Sequence, residues 1–232
     1  MAKEGKDDCR FCVILKKTMA LISKIARKKL DQKVAKYASS KKTLEVGAYG
    51  KSTYGIYFPN KVGIDVREGP GVDLVADVYK LPFDDNSFDV VLCMVVMEHL
   101  EDPKKAISEM KRVLKPGGMI LVSTPFLFPI HDSPNDFWRF TKYGLALLFK
   151  DWDIVELSAE TNFNETFAVL LQRVGYQTKL HLNSLMKGLV FVLAWMLTKI
   201  PIIPRVVYGD IKKSIEEPEA FASSFFLAAR KK

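Results

Sequence analysis

Seven short apolar runs recur along the chain, and loops or segments with helical spacing separate them. Runs of three to five residues bounded by turn-forming residues are typical of buried strands. Their alternation with helical segments predicts strand-helix-strand units, and hence an α/β, doubly wound fold with a mainly parallel sheet. The predicted strands are residues 43–46, 62–64, 74–76, 88–92, 119–123, 154–157 and 225–228.

One helix is clearly delimited by its end signals. Asp102 is a candidate N-cap before Pro103, a residue favoured at the first helical position, and apolar residues follow at helical spacing as far as Val113. The segment 115–118, Lys-Pro-Gly-Gly, is expected to stop this helix before the next strand.

The N-terminal segment has a basic amphipathic pattern. Between Phe11 and Leu30, apolar residues recur at helical spacing, and lysines and arginines occupy most of the other face. The segment lacks the uninterrupted apolar centre and the cleavage site of a signal peptide. We expect a helix that either covers the sheet or the substrate cleft, or contacts an anionic membrane surface through residues 11–30.

A long segment separates the last two predicted strands. Residues 158–221 are too many for a simple connection, so they predict a helical insertion. Residues 188–198 carry no charge, but an 11-residue helix is only about 16 Å long against a hydrocarbon core of about 30 Å. This predicts a buried or interfacial helix, and makes residues 188–204 a second candidate for membrane contact.

The net charge of +8 is concentrated at one end of the chain. Residues 1–42 hold 13 Lys and Arg against 4 Asp and Glu, whereas residues 43–232 are nearly balanced. We therefore divide the chain into a basic arm, 1–42, and one α/β domain, 43–232. A nucleic-acid partner is not expected, because the globular part lacks excess positive charge.

Three cysteines give no disulfide framework and favour a cytoplasmic protein, with peripheral membrane attachment as an option. Cys9 and Cys12 have no second ligand pair at zinc-site spacing, so no metal is expected. Cys93 ends a predicted strand and is expected to be a small core residue.

Candidate binding residues follow the first three predicted strands. Glu45 leads into a turn containing Gly47 and Gly50, and glycine permits a backbone conformation and a close approach that a Cβ blocks. Asp65, 20 residues after Glu45, is placed to accept hydrogen bonds from both hydroxyls of a ribose. Asp77, after the third strand, is placed to accept from an adenine amino group. The full G-x-G-x-x-G pattern of nicotinamide dehydrogenases is absent.

These residues resemble, together with several later segments, the ordered motifs of class I S-adenosylmethionine-dependent methyltransferases, type 11 group. The further segments are 81–83, 87–91, 97–100, 112–118 and 123–125. The resemblance covers about residues 43–157 and implies a seven-stranded Rossmann-like sheet with an antiparallel last strand, and S-adenosyl-L-methionine as the cofactor. By position, it implies cofactor contacts from Glu45, Gly47, Gly50, Asp65, Val66, Asp77, Val78 and Met94.

The sequence departs from the family in the first crossover. Residues 50–61 are too few for the full helix that usually follows the first strand. We expect a short or irregular connection there. Glu98 and His99 match a pair common in the family, which more often organises a loop than performs chemistry.

The segment 129–141 concentrates polar groups among aromatics after the fifth strand, which in this fold lies beside the transferred methyl. We expect His131 to act as the base for a hydroxyl acceptor, Asp132 or Asp136 to orient it, and Arg139 to clamp a carboxylate or phosphate of the acceptor. The alternative is that these three residues only tie the loop together.

The sequence therefore predicts an S-adenosylmethionine-dependent methyltransferase for a small or lipid-linked acceptor, with a glycan hydroxyl as one candidate. The alternatives are an RNA methyltransferase, in which the basic arm neutralises phosphates, and a non-catalytic partner protein that binds S-adenosylmethionine.

Overall fold

The protein is described from a computed structural model, which covers residues 25–50, 54–177, 184–199, 208–209, 216–217 and 219–232. Seven strands form one sheet in the order β3-β2-β1-β4-β5-β9-β6. They are β1 (Thr43–Val46), β2 (Lys61–Asp65), β3 (Leu74–Val75), β4 (Phe88–Met94), β5 (Leu114–Pro125), β6 (Trp152–Ala159) and β9 (Ser224–Lys231). Strands β1 to β5 pair in parallel, and β9 runs antiparallel between β5 and β6. The predicted doubly wound, seven-stranded fold is confirmed.

The described helices are α1 (Ile25–Ala35), α2 (Pro103–Val113), α3 (Lys142–Leu148), α4 (Phe163–Gln177) and α5 (Ser184–Leu197). The other described elements are two single 3-10 turns, Tyr54–Ile56 and Met97–His99, and a small antiparallel strand pair, β7 (Tyr208–Gly209) with β8 (Glu216–Glu217). Of the helices in the described ranges, none is long and apolar enough to cross a membrane.

Helix α2 begins where the sequence predicts. The Asp102 side chain accepts a hydrogen bond from the backbone N–H of Lys105 at 3.1 Å, and Pro103 opens the helix. The helix ends at Val113, and residues 115–118 lie within β5 instead of in a separate loop. The four buried apolar positions after Pro103, at helical spacing, hold this helix on one face of the sheet; they are Ala106, Ile107, Met110 and Val113.

Helix α1 packs on the opposite face. Its Leu30 and Val34 are buried in a second cluster with Leu92 and Phe226 of the sheet. The Lys33 ammonium also lies 2.9 Å from the Glu156 carboxylate of β6. Most of the predicted amphipathic span, residues 11–24, lies outside the described residues, and the division of the chain at residue 42 stays a prediction.

The first crossover is short, as expected. The described part between β1 and β2 contains one 3-10 turn, Tyr54–Ile56, whose Tyr54 is buried with Phe58 in the second cluster. Cys93 is fully buried in the main core, and burial raises the pKa of its thiol. Its predicted role as a small core residue is confirmed.

The segment between β6 and β9 is helical in its described parts. Helices α4 and α5 pack on each other, and Phe191 and Ala194 of α5 are buried. Other apolar side chains of α5 are exposed, among them Leu189, Leu193 and Trp195. This helix therefore has an apolar surface on more than one side.

Glu160 is a buried carboxyl next to the end of β6. The Ser123 hydroxyl of β5 donates to its Oε1 at 2.5 Å, and burial raises the pKa of Glu160 from 4.5 to about 7. Because the folded protein then holds this proton up to a higher pH than the unfolded chain, stability falls as the pH rises from 4.5 to 7.

We expect Glu160→Gln to remove this pH dependence. Relative to the wild type, the variant should gain up to about 3 kcal/mol in the free energy of unfolding between pH 4.5 and pH 8. Urea unfolding of both proteins across this range measures the difference. Parallel curves for the two proteins would contradict the assignment.

Candidate functional site

A cavity of about 880 Å³ opens at the carboxyl ends of the parallel strands. It lies at the end of β1, whose neighbours in the sheet are β2 on one side and β4 on the other. The strand order reverses at this point, which is the usual ligand position in doubly wound sheets. Its volume falls in the range of small-molecule and cofactor sites, about 300–1,000 Å³. Seven of the eight predicted cofactor residues line it: Glu45, Gly47, Asp65, Val66, Asp77, Val78 and Met94.

The turn after β1 is built around Gly47. Its φ is +79°, and its N–H donates to the carbonyl of Ile64 at 2.9 Å, which ties the turn to β2. A Cβ at this position would collide with a methyl group of Val96. Gly50 has a φ of +102°, lies outside the cavity lining, and donates its N–H to Pro70 at 2.8 Å. Gly50 therefore shapes the turn from outside the cavity.

We expect Gly47→Ala and Gly50→Ala to differ sharply. Both place a side chain at positive φ, which costs about 1–2 kcal/mol, but only the Gly47 variant must also displace the stiff Val96 side chain. The collision should add about 1–3 kcal/mol of destabilisation and reduce binding in the cavity. Thermal unfolding and calorimetric titration with S-adenosylhomocysteine measure both effects. Equal losses in the two variants would contradict this reading.

Asp65 ends β2 and is held by a residue that the sequence analysis missed. Its Oδ1 accepts hydrogen bonds from the backbone N–H and the Nε–H of Arg67, at 3.0 and 3.3 Å. The Arg67 guanidinium lies 4.2 Å from the ring centroid of Tyr49, across the turn from β1. Its position two residues after a strand-end acid is the only sequence signal that could have indicated this role.

Asp77 lies on the same edge of the sheet, after β3. Its Oδ1 accepts from the backbone N–H of Tyr79 at 2.9 Å, which fixes the carboxylate beside the cavity. Val78 is buried and Val66 is exposed, and both line the cavity. The arrangement offers two carboxylates and two apolar surfaces to one ligand.

The loop after β5 is organised by an ion pair. Arg139 donates to both oxygens of Asp136, at 2.5 and 2.6 Å, and to the carbonyls of Phe128, Pro129 and Trp138. The Asp136 side chain is only 1% exposed. The guanidinium of Arg139 holds the pKa of Asp136 well below its usual range. These contacts are those expected if the pair ties the loop together.

His131 lies between two carboxylates. Its Nε2 is 3.6 Å from Oε1 of Glu98, and its Nδ1 is 3.3 Å from Oδ2 of Asp136. The Glu98 carboxylate, together with Asp136, raises the pKa of His131 against the opposing effect of partial burial. The described residues of this loop that line the cavity are its neighbours Asp132, Ser133, Asn135 and Phe137. The catalytic roles of His131, Asp136 and Arg139 stay predictions.

Glu98 and His99 connect this loop to the end of β4. The Glu98 carbonyl accepts from the backbone N–H groups of Phe137 and Trp138, at 2.8 and 3.2 Å. Nδ1 of His99 lies 2.6 Å from the carbonyl oxygen of Asn135. The pair therefore organises the loop as the family resemblance implies, and His99 also lines the cavity.

Comparison with known proteins agrees with this geometry. Residues 38–122 match the family model described as a methyltransferase domain. The ubiquinone/menaquinone biosynthesis C-methyltransferase of Idiomarina loihiensis is 31% identical over 144 residues, which are 56% of this chain and 57% of that protein. The chain thus spans little more than half the length of this curated relative.

Two solved structures share the fold. The cyclase SpnF has a TM-score of 0.56 at 18% identity, over 89% of this chain and 81% of that one. A Thermotoga maritima S-adenosylmethionine-dependent methyltransferase, described as a possible histamine N-methyltransferase, has a TM-score of 0.55 at 15% identity, over 95% and 96%. At these identities the similarity concerns the fold alone.

The family model, the strand order and the glycine turn agree with one another. S-adenosyl-L-methionine is the cofactor that this family uses, and the cavity has room for it beside Gly47, where a Cβ would intrude. Residues 38–122 of this chain match the methyltransferase-domain family, and its seven-stranded sheet has the Rossmann-like fold of solved S-adenosylmethionine-dependent methyltransferases.

Proposed function

We propose that this protein transfers the methyl group of S-adenosylmethionine to a small-molecule acceptor. The observation that carries this proposal is that one cavity is lined both by the strand-end carboxylates Asp65 and Asp77 and by polar and aromatic residues of the loop after β5. The side with the two carboxylates suits an adenosine, and the side formed by the loop after β5 suits an acceptor next to the methyl group. We propose the cofactor contacts named above on this basis.

The cofactor supplies an activated methyl group on a sulfonium. When bound, the cofactor would supply this methyl group to a nucleophilic atom of the acceptor and would leave as S-adenosylhomocysteine. The protein must therefore hold the two partners in line and exclude water. Met94, at the end of β4, and the turn at Gly47 are placed to position the cofactor for this step.

The acceptor side of the cavity combines hydrogen-bonding and aromatic groups. His99, Asn135 and Phe137 contribute to it. This composition supports a small acceptor with a polar reacting group on a ring or another apolar body. The named role of the Idiomarina loihiensis relative in quinone biosynthesis is compatible with such an acceptor.

Ligand binding and turnover test the proposal separately. We expect calorimetric titration to show binding of S-adenosylmethionine and S-adenosylhomocysteine in preference to NAD. We expect radiolabelled methyl transfer to at least one compound in a panel of phenols, quinols and glycan hydroxyls. Preference for NAD would overturn the proposal, and cofactor binding without transfer across the panel would favour a non-catalytic partner protein.

We also propose that the acceptor is lipid-linked and that the protein reaches it at the membrane surface. The exposed apolar side chains of α5, such as Leu189, Leu193 and Trp195, support it. The basic span 11–24 and residues 200–204 lie outside the described residues. We expect the protein to float with anionic liposomes at low salt, and Leu193→Glu with Trp195→Glu to reduce flotation. Absence of the wild type from the liposome fraction would contradict membrane contact.

A further inference from the structure

Three side chains that can bind a cation, those of Glu98, His99 and His131, meet where the loop after β5 packs against the turn after β4. Oε1 of Glu98 lies 3.7 Å from Nε2 of His99 and 3.6 Å from Nε2 of His131. The ligand atoms of all three residues lie within 4.8 Å of one another. Two of the residues come from the 3-10 turn that follows β4 and the third from the loop after β5, so the cluster forms only in the folded chain.

The hydrogen-bond partners of the two rings decide where their lone pairs point. Nδ1 of His99 faces the carbonyl oxygen of Asn135 at 2.6 Å, and Nδ1 of His131 faces the Pro129 carbonyl oxygen at 3.3 Å. Carbonyl oxygens only accept hydrogen bonds, so each Nδ1 carries a proton. In a neutral ring the lone pair is then on Nε2, and both Nε2 atoms face Glu98.

Glu98 is the member of the cluster whose buried carboxylate most needs a positively charged partner. Its side chain is fully buried, and neither carboxylate oxygen accepts a hydrogen bond from any residue within the described ranges. Nε2 of His131 is likewise buried without a hydrogen-bond partner there. A buried carboxylate next to two imidazole lone pairs is costly unless a positive charge lies among them.

The surroundings match those of metal-bound histidines. A histidine that binds a metal usually donates its other ring N–H to a carbonyl or a carboxylate, which fixes the ring. His99 has Asn135 in this position, and His131 has both Pro129 and Asp136. Arg139 in turn donates two hydrogen bonds to Asp136, so the carboxylate beside His131 is itself held in place.

We propose that Glu98, His99 and His131 bind a divalent transition-metal cation, with Zn²⁺ as the best match. Two imidazoles and one carboxylate suit zinc and its neighbours better than Mg²⁺ or Ca²⁺, which prefer oxygen ligands. Three protein ligands leave a coordination position open, as in catalytic zinc sites. Of the three ligands, His99 also lines the cavity. From the sequence we expect no metal, because Cys9 and Cys12 lack a second ligand pair at zinc-site spacing. The cluster was missed because His131 lies far along the chain from Glu98 and His99.

Such a cation changes the role expected of His131. The lone pair that binds a metal is not available to take the proton of an acceptor hydroxyl, so the cation would lower the pKa of that hydroxyl instead. This consequence rests on the proposed methyl transfer, whereas the binding of the cation does not.

Cation binding is tested on the full chain without cofactor or acceptor. After chelator treatment, the wild type is titrated with Co²⁺, followed by visible absorption, and with Zn²⁺ in competition. We expect one equivalent to bind. Glu98→Gln, His99→Gln and His131→Gln should each weaken binding by at least about 10-fold, and Asp136→Asn by about 10- to 100-fold. Asp84→Asn is the control, since this carboxylate is exposed and lies outside the cavity lining, and it should bind as the wild type does.

Circular dichroism and S-adenosylhomocysteine titration accompany each variant. If Glu98→Gln fails to fold, His99→Gln carries the test, because His99 is only partly buried. Failure of the folded wild type to take up one equivalent, or equal binding by wild type and His99→Gln, would overturn the cation site. Failure of the wild type to bind S-adenosylhomocysteine would instead overturn the proposed function.

Discussion

Replacing Asp65 with Ala is expected to lower the affinity for S-adenosylhomocysteine by about 10- to 100-fold. The proposed ribose contacts are hydrogen bonds to a charged group, which contribute about 1.5–3 kcal/mol. The Asp65 side chain is 9% exposed at the cavity and is already oriented by Arg67, so little freedom is lost on binding. Isothermal titration calorimetry measures the change, and Asp77→Ala in the same chain should weaken binding further.

Asp84→Ala is the control for this pair, because Asp84 is an exposed carboxylate outside the cavity lining. Its affinity should equal that of the wild type. Full affinity in the double variant Asp65→Ala with Asp77→Ala would show that the cofactor binds elsewhere, and the proposed site would be wrong.

Arg139→Ala is expected to cost about 3 kcal/mol of stability, since removing one partner of a buried pair leaves an uncompensated charge. Asp136 is almost fully buried, and the guanidinium also donates to three backbone carbonyls of the loop. Urea unfolding monitored by circular dichroism measures the loss. The double variant with Asp136→Asn should recover part of it, because the lone charge is then gone.

Arg67→Ala provides the comparison for Arg139→Ala. Arg67 also pairs with an aspartate, but its side chain is 66% exposed and the ion-pair distance is 3.3 Å. Exposed pairs of this kind contribute at most about 1 kcal/mol. If Arg139→Ala loses no more stability than Arg67→Ala, the loop does not depend on the buried pair.

Local patterns in the sequence predicted the elements well. The strands that begin at Thr43 and at Phe88 start at the predicted residues, and Asp102 with Pro103 begins α2. Such features depend on the side chains of neighbouring residues, which the sequence contains directly. The positions of Asp65 and Asp77 at one edge follow in turn from the parallel arrangement, because parallel strands end on the same side.

The side-chain contacts on the acceptor side of the cavity were harder to predict from the sequence. His131, Asp136 and Arg139 were identified as a group, but the Arg139 contacts to three carbonyls and the position of His131 against Glu98 were not predicted. Glu98 was assigned to the organisation of the loop, which its carbonyl performs, while its buried carboxylate had no predicted partner. Side-chain direction in an irregular loop depends on backbone geometry that no periodic pattern encodes.

By itself the sequence determined the order of strands and helices, the glycine turn, the strand-end acids and the resemblance to a methyltransferase family. Only the tertiary structure decided that β9 lies between β5 and β6, that Arg67 holds Asp65, and that Glu98, His99 and His131 meet. The physical reason is that periodicity shows which positions are buried, whereas contacts between distant residues depend on how the buried surfaces pack together.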